Sequence, residues 1–153
     1  MNIRKALLVL PVLALGLAAS APAQCPGGSG GTLTVSPDAC VQPGDTITVD
    51  ACGAASGSFS LGLLAVSTTA GSTPIGGIGP FPTAELCLAA PIAFFPLLPG
   101  TGGCSGFEFT VPAGVPLPGD VNLVLQGVFL GFDFSSLPPS FSLTTTNTDS
   151  LCL

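Results

Sequence analysis

The sequence is almost devoid of basic side chains. Its 153 residues include one Arg and one Lys, Arg4 and Lys5, and no His. Binding to nucleic acid depends on Lys and Arg side chains that neutralise phosphates, and attraction to anionic lipid surfaces depends on the same residues. We therefore expect no nucleic-acid partner, and we expect any charged partner to be cationic.

The shortage of basic residues also removes most catalytic machinery. A serine nucleophile needs a base, usually His or Lys, and the sequence has no Gly-x-x-x-x-Gly-Lys segment to hold phosphates. Trp and Tyr, the usual aromatic platforms for sugars, are absent as well, which leaves ten Phe as the only aromatic residues. This inventory predicts a protein that is not an enzyme and has no cofactor.

The first residues have the three parts of a secretory signal peptide: a basic start, an apolar run and a small-residue ending. We predict a signal peptide over residues 1–23 and a single secreted domain over residues 24–153. The apolar run covers only residues 6–17, whereas a helix that spans a membrane needs roughly 20 residues. No membrane span is therefore predicted. Cleavage removes both basic residues and leaves a formal charge of −8.

The predicted domain keeps six cysteines: Cys25, Cys40, Cys52, Cys87, Cys104 and Cys152. An even number in a secreted chain indicates a disulfide framework, and the zinc alternative lacks both His and a Cys-x-x-Cys spacing. Six cysteines allow 15 connectivities. Short turn-rich intervals favour Cys40 with Cys52 and Cys87 with Cys104. Cys25 with Cys152 then follows by elimination and joins the two ends of the domain.

Apolar residues alternate with polar ones along most of the chain, which is typical of strands. The glycines and prolines fall between these runs and indicate turns. The pattern predicts an antiparallel β-sandwich, immunoglobulin-like, with about seven to nine short strands. The predicted strands centre on Leu33–Val35, Ile47–Val49, Phe59–Leu63, Leu86–Leu88, Phe107–Val111, Val121–Leu125 and Phe141–Leu143, with shorter ones in 92–98 and 128–134.

Four segments of the predicted domain resemble the Gly/Pro-rich all-β modules of uncharacterised secreted and envelope proteins of environmental bacteria. The resemblance implies an extracytoplasmic sandwich and brings no activity with it. The segments are Cys25 to Gly31, Leu61 to Leu64, Val115 to Gln126 and Phe141 to Asn147.

Glu85 and Glu108, the only glutamates, form the sharpest candidate carboxylate pair. If Cys87 bonds Cys104 across antiparallel strands, the two glutamates become diagonal neighbours at roughly 7 Å. That separation lies within the range of about 6.5 to 9.5 Å that inverting glycosidases use. A carboxylate hydrolase is therefore a minor alternative, although the outer face of a sandwich offers no cleft.

The aspartates suggest a calcium site as a second alternative use of the acids, because Ca²⁺ prefers oxygen ligands. None of them forms the spaced Asp-x-Asp-x-Asp-Gly loop, so we favour solvated turn acids and predict no metal ligand. Turn chemistry also explains Pro43-Gly44-Asp45, in which Pro and Gly suit the two central positions of a turn. The six aspartates are Asp38, Asp45, Asp50, Asp120, Asp133 and Asp149.

The segment Pro91–Pro99 carries three prolines in an otherwise apolar run. Proline disfavours a central strand, so we expect part of this segment at a sheet edge or in a loop, with some apolar surface exposed. The favoured interpretation is a loop that folds over the open end of the sandwich and buries Phe94 or Phe95.

Taken together, the residues predict a non-catalytic secreted structural or interaction module of the bacterial envelope or extracellular space. The expected partner is a protein or glycan of the cell envelope. The leading alternative is a glycan-binding module, with or without calcium, in which Phe replaces the missing Trp and Tyr. No feature of the sequence predicts an oligomeric state.

Overall fold

A computed structural model describes most of the predicted domain. The predicted signal peptide (residues 1–23), Cys25 and Asp120 lie outside the described residues. The described residues are 30–53, 59–76, 80–101, 103–119 and 121–153.

All regular structure in these described ranges is β-strand, and neighbouring strands pair antiparallel. The predicted all-β antiparallel class is confirmed, with ten strands rather than seven to nine. No helix in the described part could cross a membrane. The strands are β1 (Thr32–Ser36), β2 (Thr46–Cys52), β3 (Phe59–Ser67), β4 (Ala70–Ile75), β5 (Ala84–Leu88), β6 (Ala93–Pro96), β7 (Leu98–Pro99), β8 (Cys104–Thr110), β9 (Asn122–Asp133) and β10 (Ser140–Cys152).

The strands form two four-stranded sheets and one hairpin. The first sheet has the order β1-β2-β8-β7, and the second sheet has the order β10-β9-β3-β6. The β4–β5 hairpin stands apart as a two-stranded sheet. Alternation of buried and exposed residues along β1 and β2 places every second side chain between the sheets, as period-two strands require.

Two apolar clusters hold three layers together. The larger cluster lies between the first and second sheets and includes Val49 of β2, Leu64 of β3 and Phe129 of β9. The smaller cluster joins the opposite face of the second sheet to the hairpin, through Val128 of β9 and Leu86 of β5. The second sheet is therefore covered on both faces, and the hairpin is a third layer that a two-sheet sandwich does not have.

Strands β6 and β7 are edge strands in different sheets. Leu97, whose side chain is buried, connects them along the chain. The expectation of an edge position for Pro91–Pro99 is confirmed, because an edge strand tolerates the missing N–H of proline. The expected burial of Phe94 or Phe95 is wrong. These rings are 48% and 50% exposed, and Leu97 fills the core instead.

Two strands differ from the predicted pattern for local reasons. The sequence pattern missed β4, Ala-Gly-Ser-Thr-Pro-Ile, because Gly and Pro are depleted in strands. The predicted strands at 121–125 and 128–134 join into the single strand β9, because Gly127 is not a turn residue. A Cβ at Gly127 would lie 2.8 Å from Thr146 Cγ2 and 3.2 Å from Ala51 Cβ, so the glycine allows the two sheets to approach closely.

The predicted disulfide connectivity is wrong in the described residues. Cys40 bonds Cys152 and Cys52 bonds Cys104, so Cys40–Cys52, Cys87–Cys104 and Cys25–Cys152 do not form. The prediction assumed that cysteines close in sequence lie on neighbouring strands. In the sheet, β2 pairs with β8, and Cys52 lies directly opposite Cys104. Cys87 is buried on β5, away from the first sheet.

Candidate binding surface

The part of the second sheet that the hairpin leaves uncovered is apolar. Antiparallel register aligns its side chains in rows across three strands, on the face directed towards the hairpin. The phenylalanine row consists of Phe59, Phe132 and Phe141, and the leucine row consists of Leu61, Leu130 and Leu143. Directly opposite residues on one face of a sheet are in contact distance, so each row is continuous.

The phenylalanine row is the centre of an aromatic cluster. The ring of Phe132 lies 5.7 Å from that of Phe59 and 6.0 Å from that of Phe141. Phe81, from the loop between β4 and β5, packs edge-on against Phe132 at 5.3 Å and against Phe141 at 5.5 Å. Phe134 stacks on Phe132 from the end of β9 at 6.4 Å. Edge-on and offset contacts are the favoured arrangements of aromatic pairs.

Parts of the aromatic cluster and of the leucine row are open to solvent. Phe59 is 58% exposed, Phe134 is 62% exposed and Leu61 is 38% exposed. Large apolar side chains at the surface are unremarkable when they are single, but contiguous ones mark interaction sites in soluble proteins. We call the phenylalanine row, the leucine row, Phe81, Phe94 and Phe134 together the apolar face.

A cavity of about 240 Å³ lies between the leucine row and the hairpin. The second sheet forms the floor of the cavity, and the hairpin and its loop form one wall. Phe94 of β6 lines another side. Every described side chain that lines it is apolar, so the cavity offers no hydrogen-bond donor, acid or base from a side chain. The lining residues are Leu63, Ile75, Gly76, Phe81, Phe94, Val128, Leu130 and Leu143.

The Gln126 side chain, next to a bulge in β10, attaches the hairpin to the second sheet. Opposite Gly127, β10 has the two residues Thr146 and Asn147. The buried amide of Gln126 accepts from the Cys87 N–H at 2.8 Å and donates to the Thr146 carbonyl at 2.8 Å. Gln126 therefore links β5, β9 and β10 through side-chain hydrogen bonds. In the described residues, no buried side-chain polar atom lacks a hydrogen-bond partner. The Gln126 amide therefore has a structural role.

The candidate carboxylate pair does not form. Glu85 lies in the hairpin, where it accepts from the Ser72 hydroxyl. Glu108 lies in the first sheet opposite Thr48, and the second sheet separates these two layers. The expected diagonal contact is wrong because β5 pairs with β4 and not with β8.

Several aspartates accept hydrogen bonds from backbone N–H groups. Asp45 accepts from the Gln42 N–H at 2.8 Å, and Gly44 between them has a φ of 100°, as the turn interpretation predicts. Asp133 accepts from the Ser135 N–H and hydroxyl. Asp149 accepts from the Val35 N–H on the edge strand β1 at 2.9 Å. Among the residues that the structure describes, no three His, Cys, Asp or Glu converge on a metal position.

Sequence reasoning expected some exposed apolar surface in Pro91–Pro99, at the edge of this face, but favoured burial of Phe94 or Phe95. It missed Phe81, Phe132 and Phe134 as surface residues, although one signal was present. Val128-Phe129-Leu130 is apolar on both faces of its strand, which is typical of a strand with a layer on each side. The third layer turned out to be a short hairpin, too small to cover the whole face.

Comparisons with protein-family models, curated proteins and solved structures find no match for this chain. The function must therefore be inferred from the residues and their geometry.

Proposed function

We propose that this protein is a non-catalytic secreted interaction module that binds an apolar ligand or partner through the apolar face. The carrying observation is that the phenylalanine row, exposed at Phe59, is continuous with the apolar cavity through Phe81 and Leu143. Apolar pockets with few polar groups are the usual form of small-molecule binding sites, and exposed apolar patches of this kind are otherwise a liability for solubility.

The residue inventory supports the non-catalytic part of the proposal. The chain has no Lys, Arg or His after residue 5, so acid–base chemistry would fall to eight carboxylates. Asp45, Asp133 and Asp149 are engaged with backbone N–H groups, and none of the described carboxylates lines the apolar cavity. A carboxylate hydrolase has no described pair of acids to use.

Secretion to the envelope or extracellular space is supported by the N-terminal pattern of residues 1–23 and by the two disulfides. Disulfides persist in oxidising compartments and are rare in the cytosol. The resemblance to Gly/Pro-rich modules of envelope proteins agrees with this location.

A glycan-binding module is the second candidate, favoured by the exposed rings of Phe59 and Phe134 and by Asp133, which precedes Phe134 in the chain. It would follow the analogy with immunoglobulin-like sandwiches, which is an argument from fold class. It is the weaker candidate because the Asp133 Oδ1 atom already accepts two hydrogen bonds from Ser135. A glycan array that stays blank with and without calcium would remove it.

The proposal is tested with the uncharged fluorescent probe N-phenyl-1-naphthylamine, whose emission rises in apolar sites. The double variant Phe59→Ser, Phe134→Ser should lose most of the emission increase that the unaltered protein gives. The matched control is Phe109→Ser, because Phe109 is 52% exposed but lies in the first sheet. Equal loss in the control, or no loss in the double variant, would contradict the proposal.

A further inference from the structure

We propose that the apolar cavity holds the single hydrocarbon chain of an amphiphile whose head group is uncharged or cationic, and that it rejects the corresponding anion. This inference depends on the proposed function and specifies its ligand.

The size of the cavity supports a single chain. An apolar cavity of about 150 Å³ is enough to bind benzene, with six carbons. Scaled by volume, the 240 Å³ of this cavity correspond to a chain of about ten carbons. Two chains of that length would need about twice this volume.

The composition of the lining supports a hydrocarbon. No described side chain in the cavity can form a hydrogen bond, and a polar group placed there would lose its bonds to water without replacement. A sugar or a peptide backbone would carry such groups, whereas methylene groups gain free energy on burial. A peptide could therefore place an apolar side chain in the cavity but not its backbone.

The cavity is partly open to solvent, and Phe94 in its lining is 48% exposed. A bound chain can thus leave its head group in water at this opening. The head group then experiences the charge of the whole molecule rather than a specific contact.

That charge discriminates between head groups. After residue 5 the chain has eight carboxylates and no cationic side chain, so no side chain can neutralise a fatty-acid carboxylate or a phosphate. The negative field repels anions and attracts cations, and salt screens both effects. The expected order of affinity is cationic, then uncharged, then anionic.

Calorimetric titration of the protein purified from the exported fraction tests this directly. The probes are decyltrimethylammonium, decanol and decanoate, each below its micelle concentration, at low and at physiological salt. We expect decyltrimethylammonium to bind at least tenfold more tightly than decanoate at low salt, with the ratio falling as salt rises. Equal affinity of these two probes would overturn the charge argument.

Chain length tests the cavity itself. In a series of alkyltrimethylammonium ions, affinity should rise steeply up to about ten carbons and only weakly beyond, because a longer chain leaves the cavity for the partly exposed phenylalanine row. A steady rise through fourteen carbons would overturn the assignment to the cavity.

Filling the cavity locates the chain. Ile75→Phe and Leu143→Phe should each weaken binding of decyltrimethylammonium at least tenfold, and two positions guard against a variant that fails to fold. Leu137→Phe is the control, because Leu137 is 96% exposed and outside the lining. If the naphthylamine probe binds the apolar face but no alkyl compound binds, this inference fails and the proposed function stands. If the probe does not bind either, both fail.

Discussion

The two outer sheet faces of the molecule obey the same alternation and carry opposite chemistry. The outer face of the first sheet consists mainly of polar side chains, with Leu98 of β7 as an exposed apolar exception, whereas the corresponding positions of the second sheet carry the phenylalanine and leucine rows. On the first sheet, the outward residues include Thr32, Thr34, Ser36, Thr46, Thr48, Asp50, Glu108 and Thr110.

The two faces differ in polarity because different surroundings lie against them. Within the part of the chain that the structure describes, no layer covers the first sheet's outer face, and antiparallel sheets with one solvated face are polar on that side. The second sheet has the hairpin as a neighbour, which buries Val128 and Ala65 under Leu86 and Leu88. The strands of the hairpin stop short of the phenylalanine row, although Phe81 from their loop contacts Phe132 and Phe141. We propose that a ligand completes the third layer on the part of this face that stays exposed.

The faces also differ in how their strands are held, and removing the first sheet's disulfide should have the largest effect. Cys52 and Cys104 close a loop of 52 residues between neighbouring strands. The double variant Cys52→Ser, Cys104→Ser should lower the free energy of unfolding by about 4 kcal/mol. Urea denaturation of both proteins measures this, and an unchanged midpoint would show that the bond does not stabilise the fold.

The next effect concerns the layer that covers the second sheet. Leu86→Ala removes a fully buried side chain from the hairpin's inner side, which should cost about 3 kcal/mol. It should also increase naphthylamine binding, because the hairpin packs less firmly on the sheet. Thermal unfolding and probe emission measure the two effects, with the exposed Leu137→Ala as control. A stability loss equal to that of the control would contradict a third packed layer.

A smaller effect should follow from breaking the polar anchor of the hairpin. Gln126→Ala leaves the Cys87 N–H and the Thr146 carbonyl without their buried partner, at a cost of about 2 kcal/mol. Gln42→Ala is the matched control, because Gln42 is exposed. If both variants unfold at the same urea concentration, the amide is not the link between hairpin and sheet.

The smallest effect distinguishes binding from packing on the apolar face. Phe134→Ser should change the free energy of unfolding by less than about 0.5 kcal/mol, because the ring is 62% exposed and surface substitutions are usually that mild. Phe129→Ser, at a position 1% exposed, should cost several kcal/mol. Similar unfolding midpoints for these two variants would show that Phe134 belongs to the core.

Local patterns in the sequence were enough to predict most strands but not their neighbours. Period-two alternation located β1 and β2, because each has one buried and one solvated face. The disulfides could not be derived, since Cys52 and Cys104 meet only through the long-range order of the first sheet. The apolar face was hidden for a related reason: alternation places Phe132 and Phe141 on a common face without showing how far the hairpin extends over it.

Hydrogen–deuterium exchange with and without N-phenyl-1-naphthylamine tests the central claim most directly, since both faces are read in one experiment. We predict that the probe slows exchange in β3, in the second half of β9 and in the β4–β5 hairpin. Exchange in β2 and β8, which carry the polar face, should not change. Slower exchange in β2 and β8, to the same degree as in β3 and β9 or more, would contradict the assignment of binding to the apolar face.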